Sequence, residues 1–386
     1  MGVDLQKLHR EMTEWRHHLH SNPEFGFEEV KTAAFVASKL REFGLDEVVE
    51  GVGGTGVVGT LKRGTSNRAV ALRADMDALR IPEATNLPYK SQNPGLMHAC
   101  GHEGHTTMLL GAAKMLAEEG GFDGTVRFFF QPAEEWGKGA LAMLADGLSE
   151  RFPYDEIFGI HNAPGMPLGS FEAMAGPVTA SEDNFEIVLS GLGGHASRPQ
   201  NGQEVLVAAC ALVTSLQTIV SRRLSPADIA VVSVTELVTD GTRNTLPGTA
   251  RIAGDTRSFR DEVSADIEKQ MRIISHGIAQ AYSVTAEVKY TREFIPTVND
   301  AELVEASFAA ARKFLGPDQI RVLKEPNSGS EDFAQFLDRA PGCFVFLGNG
   351  EDSLPLHNPG YNFNDELLPV GARLHSEFAR ERLPLA

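Results

Sequence analysis

The first forty residues place apolar and polar side chains at helical spacing. One apolar face is formed by Leu5, Leu8, Met12, Trp15 and Leu19. Asn22-Pro23 ends this pattern, and a second helical pattern occupies residues 28–43 and closes at Gly44. Because apolar residues three and four positions apart share one side of a helix, two amphipathic helices are predicted here.

Short, continuously apolar runs then alternate with helical patterns. The runs occupy residues 56–61, 69–72, 126–130 and 157–160. Between them, residues 106–117 are apolar nearly all round, which is typical of a buried helix. Strands that are apolar on both faces and are separated by helices predict an α/β domain with a largely parallel sheet.

The pattern changes near Ser181. The next elements are a strand at 185–189, a helix at 202–223, strands at 229–237 and 249–256, a helix at 263–282 and a strand at 284–290. The order β-α-β-β-α-β is that of a ferredoxin-like unit. This segment is predicted to form a second domain with its own core.

Alternating helix and strand patterns return after Glu293. A helix is predicted at 301–315, a strand at 343–347 and a helix at 365–382. His357, in this last part of the chain, is a candidate metal ligand together with residues of the first part, which are described below. The small domain is therefore predicted to be an insertion in the larger one. The predicted domains are 1–182 with 293–386, and 183–292.

Composition excludes several classes of partner. With 52 acidic and 35 basic residues the formal charge is −17, which disfavours nucleic acid because no cationic excess neutralises phosphates. No apolar run approaches the roughly 20 residues that span a bilayer. Three scattered cysteines form no disulfide framework, and residues 1–20 lack the apolar core of a secretory signal. A cytoplasmic protein is therefore expected.

The candidate chemistry begins with Met97-His98-Ala99-Cys100-Gly101-His102-Glu103-Gly104-His105. This segment combines a thiol with three imidazoles, donors that borderline-soft divalent ions prefer. Further donors end apolar runs or follow them: Glu134, Glu135, His161 and His357. Their number exceeds the ligands of one tetrahedral ion, so a two-metal hydrolytic centre is predicted. The N-terminus of the buried helix is expected to favour a thiolate at Cys100.

Each of these residues also has a simpler interpretation. A single histidine at a strand end is more often structural, a buried cysteine is more often inert, and a Glu-Glu pair is often a solvated turn. The metal interpretation depends on five candidates that lie at the ends of predicted elements, with a paired carboxylate among them. The block from His17 to His20 lies on the first amphipathic helix without a carboxylate cluster and is interpreted as structural.

Ordered motifs along nearly the whole chain resemble one family. They are RHHLH at 16–20, ALRADMD at 71–77, MHACGHEGH at 97–105, QPAEE at 131–135, GGHA at 193–196, SEDF at 330–333 and LHNP at 356–359. The chain resembles the aminoacylase, hippurate hydrolase and carboxypeptidase G family of dinuclear metallohydrolases. It is most similar to the cysteine-containing branch of hippurate hydrolases and plant auxin-conjugate amidohydrolases.

The resemblance implies roles for particular residues. The two metals would be bound by Cys100, His102, Glu135, His161 and His357, with Cys100 as the bridging ligand. Glu134 would be the general base for a metal-bridging water, and Asp75 an outer carboxylate that orients a ligand. Glu103 stands where relatives generally carry aspartate, and it is assigned no ligand role.

Three residues of the small domain are implied to meet the substrate. His195 resembles an oxyanion stabiliser, which some relatives supply from the opposite subunit. Asn244 resembles a polar substrate contact. Arg257 either holds a substrate carboxylate or forms a surface salt bridge. Gln200 stands where many relatives have histidine, so this part of the small domain is expected to contact a different group.

The resemblance implies a large mixed-sheet α/β metallohydrolase domain carrying an inserted ferredoxin-like lid and dimerisation domain. The expected activity is hydrolysis of N-acyl amino acids, such as N-acetyl or N-benzoyl derivatives. The expected assembly is a homodimer or a higher homo-oligomer formed through the lid domain, with two divalent ions per subunit. Zinc or manganese suits the donors best, and cobalt or nickel is also compatible. One alternative is a dipeptidase or carboxypeptidase that uses the same metal centre. Another is a metal-bound protein without catalytic activity, and the presence of Glu134 argues against it.

Overall fold

The computed structural model describes residues 3–385; Met1, Gly2 and Ala386, which end the predicted first domain, lie outside the described residues. The helices are α1 (Leu5–Ser21), α2 (Val30–Glu42), α3 (His102–Glu119), α4 (Gly139–Ala145), α5 (Leu148–Arg151), α6 (Val205–Leu216), α7 (Asp261–Ala281), α8 (Ala301–Arg312), α9 (Ala334–Leu337) and α10 (Leu368–Arg382). The strands are β1 (Glu47–Val52), β2 (Gly56–Arg63), β3 (Ala69–Asp75), β4 (Gly124–Gln131), β5 (Glu156–Pro164), β6 (Phe171–Ala173), β7 (Gly176–Thr179), β8 (Glu182–Ser190), β9 (Gly194–His195), β10 (Ala230–Thr239), β11 (Thr245–Leu246), β12 (Thr249–Ser258), β13 (Thr285–Phe294), β14 (Thr297–Asn299), β15 (Ile320–Val322) and β16 (Gly342–Gly350).

The first helix begins where a side chain satisfies its unpaired N–H groups. The carboxylate of Asp4 accepts hydrogen bonds from the backbone of Gln6 and Lys7 at 3.0 and 3.1 Å. The helix ends just before Asn22-Pro23, as predicted. The second helix begins at Val30, two residues later than predicted.

The chain divides into two compact units. The first runs to Val178 and resumes at Val298–Glu325 and again at Asp332, while the second comprises Thr179–Thr297 and Pro326–Glu331. The predicted insertion at 183–292 lies inside the second unit. The short return segment Pro326–Glu331 is not anticipated by the sequence pattern.

The first unit contains an eight-stranded sheet in the order β1-β2-β4-β3-β5-β16-β6-β15. The four central strands β4, β3, β5 and β16 are parallel. Strands β1 and β2 add antiparallel pairings at one side, and β6 runs antiparallel to β16 at the other. The predicted α/β fold with a large mixed sheet is confirmed. The carboxyl ends of the central strands share one edge, where binding residues collect in such sheets.

The central strands of this sheet are buried on both faces, and they are apolar at successive positions. On β4, Phe128 and Phe130 join the core beneath α1, α3 and α10, while Phe129 joins the core beneath α4 and α9. Alternate side chains of a strand point to opposite faces, so a continuous apolar run fills two layers. This explains why the sequence pattern identifies these strands.

The second unit has a four-stranded antiparallel sheet in the order β10-β12-β8-β13. Helices α6 and α7 pack on it, and their apolar residues share one core with Phe185, Ile187 and Leu189 of β8. The element order β8-α6-β10-β12-α7-β13 is the predicted ferredoxin-like order.

The predicted helix at 202–223 is too long. Helix α6 ends at Leu216, and a wider π-helical turn covers Ile219–Arg223. Between them the hydroxyl of Thr218 donates to the carbonyl oxygen of Ser215 at 2.6 Å, and such side-chain bonds compete with helical hydrogen bonding. Among residues 3–385, no helix is long and apolar enough to cross a membrane.

Candidate metal centre

Neighbouring parallel strands bring most of the predicted site residues to one edge of the large sheet. Asp75 is the last residue of β3, and Glu134 and Glu135 follow β4 in a 3-10 turn. His161 lies within β5, which continues to Pro164. The sequence argument that His161 ends its strand is therefore wrong by three residues, although the residue remains near the carboxyl end.

Cys100 and His102 reach this edge through a glycine in a left-handed conformation. Gly101 has φ +94°, and a β-carbon there would lie 2.5 Å from Oδ1 of Asn162. Only glycine accepts both the backbone angle and the close approach. The sequence pattern placed His102 just before the buried helix. In the structure His102 is the first residue of that helix, α3.

The five predicted ligands converge. The Cys100 sulfur lies 3.6 Å from Nε2 of His161. Oε1 of Glu135 lies 3.9 Å from Nε2 of His102 and 3.4 Å from Nε2 of His357. Two groups of three share Cys100, namely Cys100 with His102 and His161 and Cys100 with Glu135 and His357. Within each group the donor atoms lie within 4.8 Å of one another.

His102 is oriented by an aspartate to which the sequence analysis assigned no role. Its Nδ1 lies 3.0 Å from Oδ1 of Asp77 and donates the hydrogen bond, so Nε2 is the nitrogen available to a metal ion. Nε2 is buried and makes no hydrogen bond. Burial opposes a charged His102, but Asp75 and Cys100 outweigh it and raise its pKa well above the usual range. A buried nitrogen without a hydrogen-bond partner that faces Glu135 fits a divalent ion, which would take the place of the Nε2 proton. The second aspartate of the ALRADMD motif was the available signal.

Asp75 holds a different histidine. Its Oδ1 lies 2.6 Å from Nδ1 of His105 and 3.9 Å from Nδ1 of His102. The chain of hydrogen bonds continues from Nε2 of His105 to Asn162 at 2.6 Å, and from Asn162 to the hydroxyl of Tyr361 at 2.6 Å. The carboxylate that orients a predicted ligand is therefore Asp77, whereas Asp75 orients His105, which is not a predicted ligand.

The protonation of two ligand candidates follows from burial. Burial, and then the charge of Glu135, raise the pKa of the Cys100 thiol, so the expected helix effect is outweighed in the metal-free protein. Burial, and then His105, lower the pKa of His161 well below its usual range. His161 is therefore neutral, and its Nδ1 donates to the carbonyl of Asn162 at 2.7 Å. A bound cation would offset the cost of a thiolate at Cys100.

The Glu134–Glu135 turn is held in a constrained backbone. Ala133, which precedes it, has φ +47°, an uncommon value for a residue with a β-carbon. The buried carboxylate of Glu29 accepts a hydrogen bond from the backbone of Ala133 at 2.8 Å. Glu134 is buried, and its Oε2 lies 3.9 Å from Nε2 of His102. Glu29 is a supporting residue that the sequence analysis missed.

Glu103 and the early histidines form a separate buried cluster. Oε1 of Glu103 lies 2.7 Å from Nδ1 of His20 and 3.6 Å from the guanidinium of Arg16. Glu103 belongs to none of the groups of possible metal donors. The premise that the block from His17 to His20 lacks nearby carboxylates is wrong, because His20 also meets Glu83 and His17 meets Asp365. The structural interpretation of the block stays a prediction.

His195 and Asn244 lie together on a small ribbon of the second unit. His195 is on β9 and pairs with Thr245 of β11. The backbone carbonyl of Asn244 accepts from Ala196 at 3.0 Å. Nδ1 of His195 accepts from the hydroxyl of Ser197 at 2.8 Å, and its side chain is exposed.

Arg257 lies on a different strand, β12, and its guanidinium is occupied. It forms ion pairs with Glu182 at 2.9 Å and with Asp255 at 2.8 Å, and it donates to Ser330 at 2.6 Å. This arrangement is the salt-bridged alternative of the sequence analysis. Gln200 lies on an exposed 3-10 turn of the same unit.

Comparison with known proteins decides the family. The family model described as Peptidase family M20/M25/M40 matches residues 71–381. The chain belongs to this family. It is 42% identical over 385 residues to a hippurate hydrolase of Campylobacter jejuni, covering 98% of each chain, and 37% identical over 375 residues to an N-acetylcysteine deacetylase of Bacillus subtilis, covering 96% of this chain and 97% of the relative.

A solved structure supports the same assignment. A Bacillus subtilis protein described as a dinuclear metal binding peptidase of the M20 family superposes with a TM-score of 0.86 at 33% identity, covering 98% of this chain and 99% of that chain. The resemblance found in the motifs is confirmed, as is the prediction of a hydrolase that acts on amide bonds.

Proposed function

We propose that this M20 family member is an amidohydrolase that cleaves N-acyl amino acids into a carboxylic acid and a free amino acid. The observation that carries the proposal is the convergence of five metal-type donors beside the buried carboxylate of Glu134. The names of the hippurate hydrolase and the N-acetylcysteine deacetylase describe substrates of this class.

The proposed cofactor is a pair of divalent ions, zinc or manganese, with cobalt or nickel as alternatives. The residues that would hold them are Cys100, His102, Glu135, His161 and His357. When bound, the ions would supply a water of lowered pKa and polarise the scissile carbonyl. The relative described as a dinuclear metal binding peptidase supports two ions.

Glu134 is proposed as the general base. It accepts the proton of the attacking water and returns it to the nitrogen of the leaving amino acid, so that the amide C–N bond breaks without a net change of charge on the carboxylate. Its neighbour Glu135 would ligate instead, because Oε1 of Glu135 also lies 3.4 Å from Nε2 of His357 and close to Cys100. Asp77 keeps the proton on Nδ1 of His102 and Nε2 free for ligation.

The test replaces Glu134 by glutamine. Glu134→Gln is expected to lower kcat on N-benzoylglycine and N-acetylcysteine by about 100-fold or more while the bound metal is unchanged. Glu118→Gln, which alters an exposed carboxylate on α3, is the matched control. Near-normal turnover in Glu134→Gln with both metals present would reject this role.

A second candidate activity shares the same centre. A thermostable carboxypeptidase of Saccharolobus solfataricus is 36% identical over 383 residues. A panel that compares N-acyl amino acids with free dipeptides and N-blocked peptides separates the two. Preference for peptides would favour the carboxypeptidase, and no hydrolysis with manganese, zinc or cobalt supplied would favour a binding protein.

The second unit is proposed to act as a lid and as a dimer contact. His195 would stabilise the oxyanion and Asn244 would contact the substrate, whereas Arg257 would first have to leave its ion pairs to bind a carboxylate. Strand β10 is an edge strand with exposed apolar residues, including Val231 and Val238, which suits pairing with a second copy.

Mixing two inactive variants tests the dimer directly. If His195 acts in the partner subunit, Glu134→Gln and His195→Ala chains together should regain activity through mixed dimers, and neither should do so alone. Light scattering after size exclusion gives the mass. A monomer with full activity would reject the dimer.

Three free cysteines support a reducing, cytoplasmic location.

A further inference from the structure

An exposed tryptophan directly follows the two site carboxylates. Trp136 is the third residue of the 3-10 turn that begins with Glu134 and Glu135. Glu134 and Glu135 each approach Nε2 of His102 at 3.9 Å. Trp136, the next residue, has 47% of its surface exposed. An aromatic ring therefore lies one residue from a predicted metal ligand.

The indole is held in place by packing on one side only. Its ring meets Phe25 edge to face, with centroids 5.1 Å apart and an interplanar angle of 70°. A β-carbon on Gly26 would lie 3.3 Å from Cδ1 of Trp136, so the indole sits close to this backbone. Phe25 is nearly buried, while the indole remains open to solvent.

Phe25 is itself fixed next to the metal centre. Its backbone forms a parallel bridge with Ala78, the residue after Asp77. Asp77 in turn accepts hydrogen bonds from His102 and from the backbone of Glu135. The guanidinium of Arg80 lies over the Phe25 ring, 3.9 Å from its centroid, an attractive cation–π arrangement.

We propose that Trp136, supported by Phe25 and Arg80, binds an aromatic ring of the substrate beside the scissile amide. This inference deepens the proposed function and rests on it. A rigid indole with a free surface recognises a flat apolar group by stacking. That group is the acyl ring of an N-aroyl amino acid or the side chain of an aromatic amino acid. Arg80 is a positioning residue that acts through Phe25.

The kinetic test uses three substrates: N-benzoylglycine, N-acetylphenylalanine and N-acetylglycine. Trp136→Ala should lower kcat/KM by about 2- to 10-fold for the substrate whose ring it binds and leave N-acetylglycine unchanged. Trp136→Phe should restore most of the loss because it keeps a ring. A loss confined to N-benzoylglycine identifies the acyl ring, and a loss confined to N-acetylphenylalanine identifies the amino acid side chain.

The role of Arg80 is tested by removing its side chain. Arg80→Ala should lower kcat/KM for the same aromatic substrate alone, through KM rather than kcat, since it disturbs only the support of the ring. An equal loss on all three substrates would instead mean that Arg80 binds the common carboxylate, and its positioning role would be wrong.

Fluorescence supplies a readout that does not need turnover. The chain has two tryptophans, of which Trp15 is buried and Trp136 is exposed. In the Glu134→Gln variant, N-benzoylglycine or N-acetylphenylalanine, whichever ring Trp136 binds, should change the tryptophan emission and reduce its quenching by acrylamide. N-acetylglycine should do neither. The Trp136→Phe variant provides the blank.

Two results would overturn the proposal: equal kinetic losses on all three substrates, which would indicate a general disturbance of the turn, or no change in either readout. Failure of the proposed function is distinguishable. It would appear as no hydrolysis of any substrate by the unaltered enzyme, while the fluorescence titration would still report whether Trp136 binds the ring.

Discussion

The buried pair of His20 and Glu103 makes the stability of the fold depend on pH in a defined direction. His20 is fully buried, with Nδ1 2.7 Å from Glu103 and Nε2 3.4 Å from Glu83. Burial disfavours the charged imidazolium, but these two carboxylates outweigh it and raise the pKa of His20 to about 9. The histidine is therefore charged in the folded protein at neutral pH.

The sign and size of the effect follow from linkage. In the unfolded chain a histidine has a pKa of about 6.5, so the raised folded value stabilises the protein fully below that pH. The contribution is lost as pH rises from about 6.5 through about 9. Raising a pKa by this amount corresponds to about 3 kcal/mol of unfolding free energy.

Urea unfolding between pH 6 and pH 9.5 measures this contribution, with a chelator present so that metal binding adds no pH dependence of its own. His20→Gln is the control, because glutamine keeps a hydrogen-bond donor and has no titrating charge. The stability difference between the unaltered protein and His20→Gln should shrink by up to about 3 kcal/mol across this range. Taking the difference removes contributions from titrating groups that His20 does not contact.

A difference that is constant from pH 6 to pH 9.5 would refute the reasoning, since it would mean that His20 does not change charge in this window. A difference that grows with pH would refute it more strongly. It would show that the folded protein prefers the neutral imidazole, and that burial outweighs the two carboxylates.

Three substitutions test the packing around the site and away from it, each by urea unfolding. Gly104→Ala should destabilise by about 1–3 kcal/mol because its β-carbon would overlap the ring of Phe363; no loss would mean that the ring moves freely. Gly277→Ala, on the open face of α7, should stabilise by about 0.5–1 kcal/mol, since nothing lies within 4 Å; a loss would contradict a helical backbone there. Tyr361→Phe should cost about 1–3 kcal/mol by leaving a buried N–H of Asn162 unpaired; an unchanged midpoint would mean that this hydrogen bond contributes nothing.

The sequence anticipated most of the elements that form the core. The central strands were recognised because parallel strands covered on both faces are apolar at successive positions, as in β4 and β16. Strands β1 and β15 escaped notice because they lie at the sheet edges and are largely exposed, so they lack that pattern. Helix α6 was predicted too long because apolar spacing does not distinguish an α-helix from the π-helical turn that follows it at Ile219–Arg223.

The identity of the candidate ligands also came from the sequence, because donor type and spacing are written in short motifs. Which carboxylate pairs with which histidine could not be read from the sequence. Asp75 and Asp77 are two residues apart and chemically alike, and only the turn of the chain after β3 decides that Asp77 meets His102 while Asp75 meets His105.

Distant contacts were decided by the tertiary structure alone. Glu29 supports the backbone at Ala133 across more than a hundred residues, and the guanidinium of Arg257 is occupied by Glu182 and Ser330. A hydrogen bond or ion pair of this kind depends on where two segments meet in space. Residue type and local periodicity determine which groups are available, and the packed fold determines which of them meet.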